Sequence, residues 1–86
     1  MVHGVIVEER ADSLRAIERF EGNREEARSR LYETACAHKF ADGLQQRRRE
    51  VFRVDDDTYY VEIKGGLGRY RLRYYLAERV WSTEAP

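Results

Sequence analysis

Apolar and polar positions alternate most cleanly between Thr58 and Tyr75. Tyr59, Val61 and Ile63 interleave with Tyr60, Glu62 and Lys64, and Tyr70, Leu72 and Tyr74 interleave with Arg69, Arg71 and Arg73. A period of two in β-branched and aromatic residues predicts two strands. Gly65-Gly66-Leu67-Gly68 separates them, and glycine supplies the positive φ that a tight hairpin asks for. With Lys64 opposite Arg69, Ile63 meets Tyr70, Val61 meets Leu72 and Tyr59 meets Tyr74. Glu62 then faces Arg71, and Tyr60 faces Arg73, on the opposite side. A slip by one residue would set charges against apolar groups, so the pattern selects its own register.

The same reasoning extends along the chain. His3 to Glu9, centred on Val5-Ile6-Val7, predicts a short strand, and Ala11-Asp12-Ser13 a turn. Leu14 to Glu21 is ambiguous, because Leu14, Ile17 and Phe20 also recur at helical spacing. A strand is favoured, with Leu14, Ala16 and Phe20 on one face, paired to the first strand as a hairpin. Asn23 caps a helix, with Glu26 three residues on to complete a capping box. Ala27, Leu31, Ala35 and His38 then carry the buried stripe of a helix over about 24–39. Asp42-Gly43 stops the chain before Gln45-Gln46. Glu50 to Val54 is a further strand, and Asp55-Asp56-Asp57 a turn into Thr58. With Asp55 opposite Thr58, Val54 meets Tyr59 and Phe52 meets Val61, which places Phe52 and Val54 on the apolar face. The final strand continues towards Leu76.

These elements assemble as α+β: an antiparallel sheet of about five strands in the order β-β-α-β-β-β, with one main helix packed on one face. Phe52, Val54, Tyr59, Val61, Ile63, Tyr70, Leu72, Tyr74 and Leu76 form the apolar sheet face, covered by Ala27, Leu31 and Ala35. Residues 1–81 make a single small domain and 82–86 a frayed tail.

Composition adds boundaries. A chain of 86 residues buries only about 60% of its unfolded surface, which favours a marginal or dimeric domain. Sixteen basic residues balance sixteen acidic ones, so no global field directs the chain to nucleic acid or membrane. Cys36 is the only cysteine, which points to a reducing, cytoplasmic setting and excludes an internal disulfide. The N-terminus has neither the basic flank nor the long apolar core of a signal peptide, and no apolar run approaches a membrane span.

Candidate chemistry concentrates on the second sheet face: Tyr60, Glu62, Lys64, Arg69, Arg71, Arg73 and Tyr75. Cations that track phosphates, interleaved with rings that stack bases, describe a single-strand nucleic-acid platform. The same pattern suits an acidic or self partner, or a solvated face with a Glu62–Arg71 pair. Arg47-Arg48-Arg49 either extends the basic patch or keeps an edge strand from pairing. The glycine run leads into a strand, not a helix N-terminus, so it is a hairpin turn and not a phosphate cradle. The three aspartates offer too few converging oxygens for Ca²⁺. Cys36 and His38 diverge on their helix, so Cys36 is expected as a buried small thiol and no metal site follows. No nucleophile, base and orienter share a spacing that marks catalysis, and no cofactor is implied. Among the exposed aromatics, Tyr75 and Trp81 are the candidates for a dimer seam.

The order of these features resembles that of small, Arg-rich actinobacterial proteins of unknown function. The resemblance lies in the His3 to Val7 strand, the Phe20 to Ala27 strand-to-helix junction, and the hairpin ending in Leu76-Ala77-Glu78. It implies a bacterial source and strand structure over Leu14 to Glu21, and no activity or site residue. The expected function is a non-enzymatic interaction module, homodimeric or with a protein partner. The alternatives are a nucleic-acid binder using the Arg69/Arg71/Arg73 face, and a small ligand-binding protein or enzyme with a helix–sheet pocket lined by residues such as Tyr32.

Overall fold

A computed structural model describes residues 2–39, 46–66 and 68–83. The expected stop at Asp42-Gly43, Leu67 of the turn and the last three residues of the tail lie outside this set. The elements run β1 Val2–Arg10, β2 Ser13–Gly22, α1 Arg24–Ala37, β3 Gln46–Asp55, β4 Thr58–Gly65 and β5 Arg69–Glu78. They form one antiparallel sheet in the spatial order β2-β1-β5-β4-β3, with α1 against one face. Leu14 to Glu21 is strand, paired to β1 as a hairpin. The β4–β5 register is the one its alternation dictates, from Lys64 opposite Arg69 to Tyr59 opposite Tyr74. The turn closes by the Gly65 N–H donating to the Gly68 carbonyl at 2.8 Å, with Gly68 at φ +158°.

Asn23 caps α1 as its sequence demands, its side-chain oxygen accepting from the Glu26 N–H at 2.8 Å. Ala27, Leu31 and Ala35 are its buried stripe. They cover a core of Ile6, Tyr59, Val61, Ile63, Leu72 and Tyr74, with Tyr70 and Leu76 at its margin. Cys36 is exposed, not buried, because it sits about 100° round the helix from Ala35 and so turns off the narrow stripe. Arg24 and Arg28 reach from the first turns of α1 to the β3–β4 turn. Arg28 Nε donates to Asp57 at 2.9 Å, and that bond holds the guanidinium's pKa above its ordinary value. Arg24 bonds Asp57 at 3.3 Å and Glu78 at 2.8 Å.

Three bulges reset which residues face the helix. Val54 has no cross-strand partner between Arg53, opposite Tyr59, and Asp55, opposite Thr58. Phe52 therefore meets Tyr60 and Val51 meets Val61, which corrects the expected apolar face. Phe52 and Val54 are exposed, while Val51 and Arg49 turn inward. Phe52 recovers some contact by stacking on Tyr60, ring centroids 6.0 Å apart. In β2, Ile17 is the extra residue, so Leu14 and Ala16 lie on the face away from α1 and Phe20 on the helix side, not together. Arg47 is the third. A bulge inverts the alternation of every residue beyond it, and that inversion leaves no mark in hydropathy.

Gly4 marks the closest approach within the sheet. A Cβ there would stand 2.6 Å from the Ala77 carbonyl oxygen and 3.1 Å from the Phe20 ring. The oxygen belongs to the ladder and cannot retreat, so Gly4→Ala is expected to cost about 2 kcal/mol. A urea titration checks this, and an unchanged midpoint would mean that β1 and β5 separate without penalty.

Candidate functional site

A sheet with one helix leaves its second face open, and here the register makes that face a set of cross-strand rows. At one end lie Arg19, Val5 and Ala77, then Ala16, Val7, Tyr75 and Thr58. Next come Leu14, Glu9, Arg73, Tyr60 and Phe52. Arg71, Glu62 and Glu50 follow, and Arg69, Lys64 and Arg48 close the far end. The apolar residues thus gather towards one end, and the other end is basic.

All six residues expected to form the basic face, Tyr60, Lys64, Arg69, Arg71, Arg73 and Tyr75, stand on it together. Their charges are not equally available. Arg73 pairs with Glu9, which lies beside it on β1, and its guanidinium sits 5.3 Å from the Tyr75 ring centroid. Arg71 lies 3.9 Å from Glu62, and the Tyr60 hydroxyl donates to Glu62 at 2.8 Å, which raises that phenol's pKa. Among the described residues, Lys64 and Arg69 form no ion pair. Trp81 lies beyond β5 and is 77% exposed, beside Val80 at 94%. The chain leading to them is anchored by the Arg79 N–H donating to the His3 carbonyl at 2.7 Å. Tyr32 is half exposed and sits edge-on to Tyr59 at 5.8 Å, so its ring closes against the sheet.

A second constellation lies beneath the C-terminal end of α1. Glu8 is 2% exposed, in phase with Ile6 and so on the core side of β1. Tyr74 donates its hydroxyl to Glu8 Oε2 at 3.0 Å, His38 Nδ1 lies 3.1 Å from the same oxygen, and Arg15 lies 3.3 Å from Oε1. Arg49 comes from β3 and donates to the carbonyls of Ala35 at 2.9 Å and His38 at 2.8 Å. The last turn of α1 contains no basic residue, so Arg49 supplies from another strand the cation that a helix C-terminus favours. Its second terminal nitrogen is buried without a bonded partner. Burial and the facing Glu8 carboxylate drive the Tyr74 pKa well above the ordinary tyrosine value.

Carboxylate, imidazole and phenol in line are the components of acid–base chemistry. Here each is already engaged by another, and the larger hollows of the surface are lined by other residues. The cluster acts as a tie between helix and sheet. Its sequence trace was the single carboxylate at Glu8, where the alternation asks for an apolar residue. Among the described residues no three His, Cys, Asp or Glu side chains converge as metal ligands, and no helix is long and apolar enough to cross a membrane. The chain matches no protein-family model, no curated protein and no solved structure.

Proposed function

We propose that the protein is a non-enzymatic interaction module that joins a second copy of itself through the open sheet face. The observation that carries this is the apolar patch of that face, formed by Val5, Val7, Ala16, Tyr75 and Ala77 on three adjacent strands. The molecule is a slab of 49 × 27 × 18 Å. Its radius of gyration of 14.2 Å exceeds the about 12 Å of a compact chain this long. Two such sheets stacked face to face complete a sandwich. Five strands at about 4.8 Å spacing, each over about eight residues, offer roughly 600 Å² per copy, or roughly 1,200 Å² in all, enough for a specific dimer. The Arg73–Glu9 and Arg71–Glu62 pairs neutralise charge within each copy, so the faces meet without strong repulsion. Tyr75 lies in the seam, and Trp81 follows at the end of β5.

Nucleic acid is the weaker reading of this face, because Glu9 and Glu62 already hold Arg73 and Arg71. A helix–sheet pocket is weaker still, since Leu31 and the Tyr32–Tyr59 contact fill that space.

Light scattering after size exclusion, at about 100 µM protein, is expected to give twice the 10.2 kDa chain mass, within the reach of a standard-size interface. Val7→Glu, and the milder Ala16→Glu on an edge strand, are expected to yield folded monomers. A monomeric wild type overturns the proposal, and so does a dimer indifferent to both variants.

A further inference from the structure

We infer that Arg48, Lys64 and Arg69 form a binding site for a phosphate group, at the opposite end of the face from its apolar patch. The register sets Arg48 directly opposite Lys64, and Lys64 directly opposite Arg69. Three cations therefore stand in one row across three adjacent strands. Like charges directly opposed in a sheet repel, and among the described residues only Arg48 of the three has an ion-pair partner, Glu50 at 3.1 Å. Glu62, the nearest other carboxylate, is bonded by Tyr60 and faces Arg71 at 3.9 Å. An arrangement that costs stability empty and loses that cost on taking up an anion is a site with a stated ligand charge.

The row surrounds a hollow of about 100 Å³ lined by Arg48, Glu50, Glu62, Ile63, Lys64 and Arg69. That volume admits a tetrahedral oxyanion and lies below the about 300 Å³ at which sites for drug-sized ligands begin. The floor is rigid, because the residues stand on hydrogen-bonded strands next to a turn closed at 2.8 Å. Two guanidinium forks and an ammonium suit phosphate oxygens. Arg69 is six residues along β5 from Tyr75, about 20 Å, and repeating the titration in Val7→Glu, expected to be monomeric, separates phosphate binding from self-association.

A free phosphate and a polynucleotide backbone offer the same group, and relative affinities read from backbone amide shifts separate the two. Wild-type protein is titrated at constant ionic strength with inorganic phosphate, pyrophosphate and a single-stranded dodecanucleotide. The expected result is saturable movement of the Gly65, Gly68 and Arg69 amides with pyrophosphate. In Lys64→Gln and in Arg69→Gln the affinity should fall about tenfold each, as expected when a charge-assisted contact is lost. Both variants are expected to melt no lower than wild type, because each removes a like-charge opposition. A dodecanucleotide at least about a hundredfold tighter than pyrophosphate, with strong salt dependence, assigns the source to nucleic acid; equal affinities assign it to small phosphates. Absence of saturable shifts with all three probes overturns the inference, as does binding unchanged in both variants.

Discussion

Replacing Leu31 with alanine is expected to lower the free energy of unfolding by about 3 kcal/mol. The helix buries only Ala27, Leu31 and Ala35. Two alanines let the backbone approach the sheet closely, and Leu31 alone is long enough to enter the core shared with Ile6, Val61, Ile63, Leu72 and Tyr74. It is fully buried, with 0% exposure, and its loss opens a cavity under a short helix that has few other contacts to offer. A domain of this length has a total stability of about 4–13 kcal/mol, so the variant surrenders a large share of it. The corresponding fall in melting temperature is about 12–24 °C. Urea unfolding followed by far-ultraviolet circular dichroism measures it. A loss below about 1 kcal/mol would show that α1 is not anchored through this side chain.

Glu8→Met is expected to cost about 3 kcal/mol, although it exchanges a buried charge for an apolar chain of similar volume. The reason lies in what remains: the Tyr74 hydroxyl, His38 and the Arg15 guanidinium, which lose the carboxylate they converge on. Tyr74→Phe alone, which removes one donor to Glu8, is expected to cost about 1–2 kcal/mol. The double variant should cost less than the two together, because the orphaned hydroxyl is gone, and a double-mutant cycle reads the difference. Additive losses would mean that Glu8 and Tyr74 act separately. The phenol also sets an alkaline limit. Its pKa is raised in the folded state, by burial first and Glu8 second, so the folded protein keeps a proton that the unfolded chain releases near about pH 10. Stability from this group is complete below that value and falls as pH rises above it. In Tyr74→Phe the decline above about pH 10 should be shallower.

The β4–β5 hairpin was legible to the residue, because twelve alternating positions and a glycine turn admit one register. The helix start was equally plain from Asn23 and Glu26. Sequence reasoning failed at Phe52 and Val54, and physics explains why. Alternation is a local rule, while the bulge at Val54 belongs to the partner strand and to the aspartate turn pinned by Arg28. The open face was legible as a set of residues but not as a set of charges. Arg73 is matched by Glu9, 64 positions earlier, and only the adjacency of β1 to β5 brings them together. Arg49 was hidden for the same reason. Within an arginine run it looks like a solvated cation, and only the bulge at Val54 turns it towards the carbonyls of α1.

The pairing of β1 with β5 also has a kinetic side. A chain emerging from the ribosome presents β1 and β2 as a hairpin long before residues 69–78 exist to cover its open edge. During that interval Ile6 and Glu8 have no strand on their β5 side, and α1 has no docked Arg49 to close its last turn. The two halves of the sheet must therefore wait for a contact of very high sequence separation, which makes maturation slow for so small a molecule. Until then the unpaired edge is the most adhesive surface of the nascent chain.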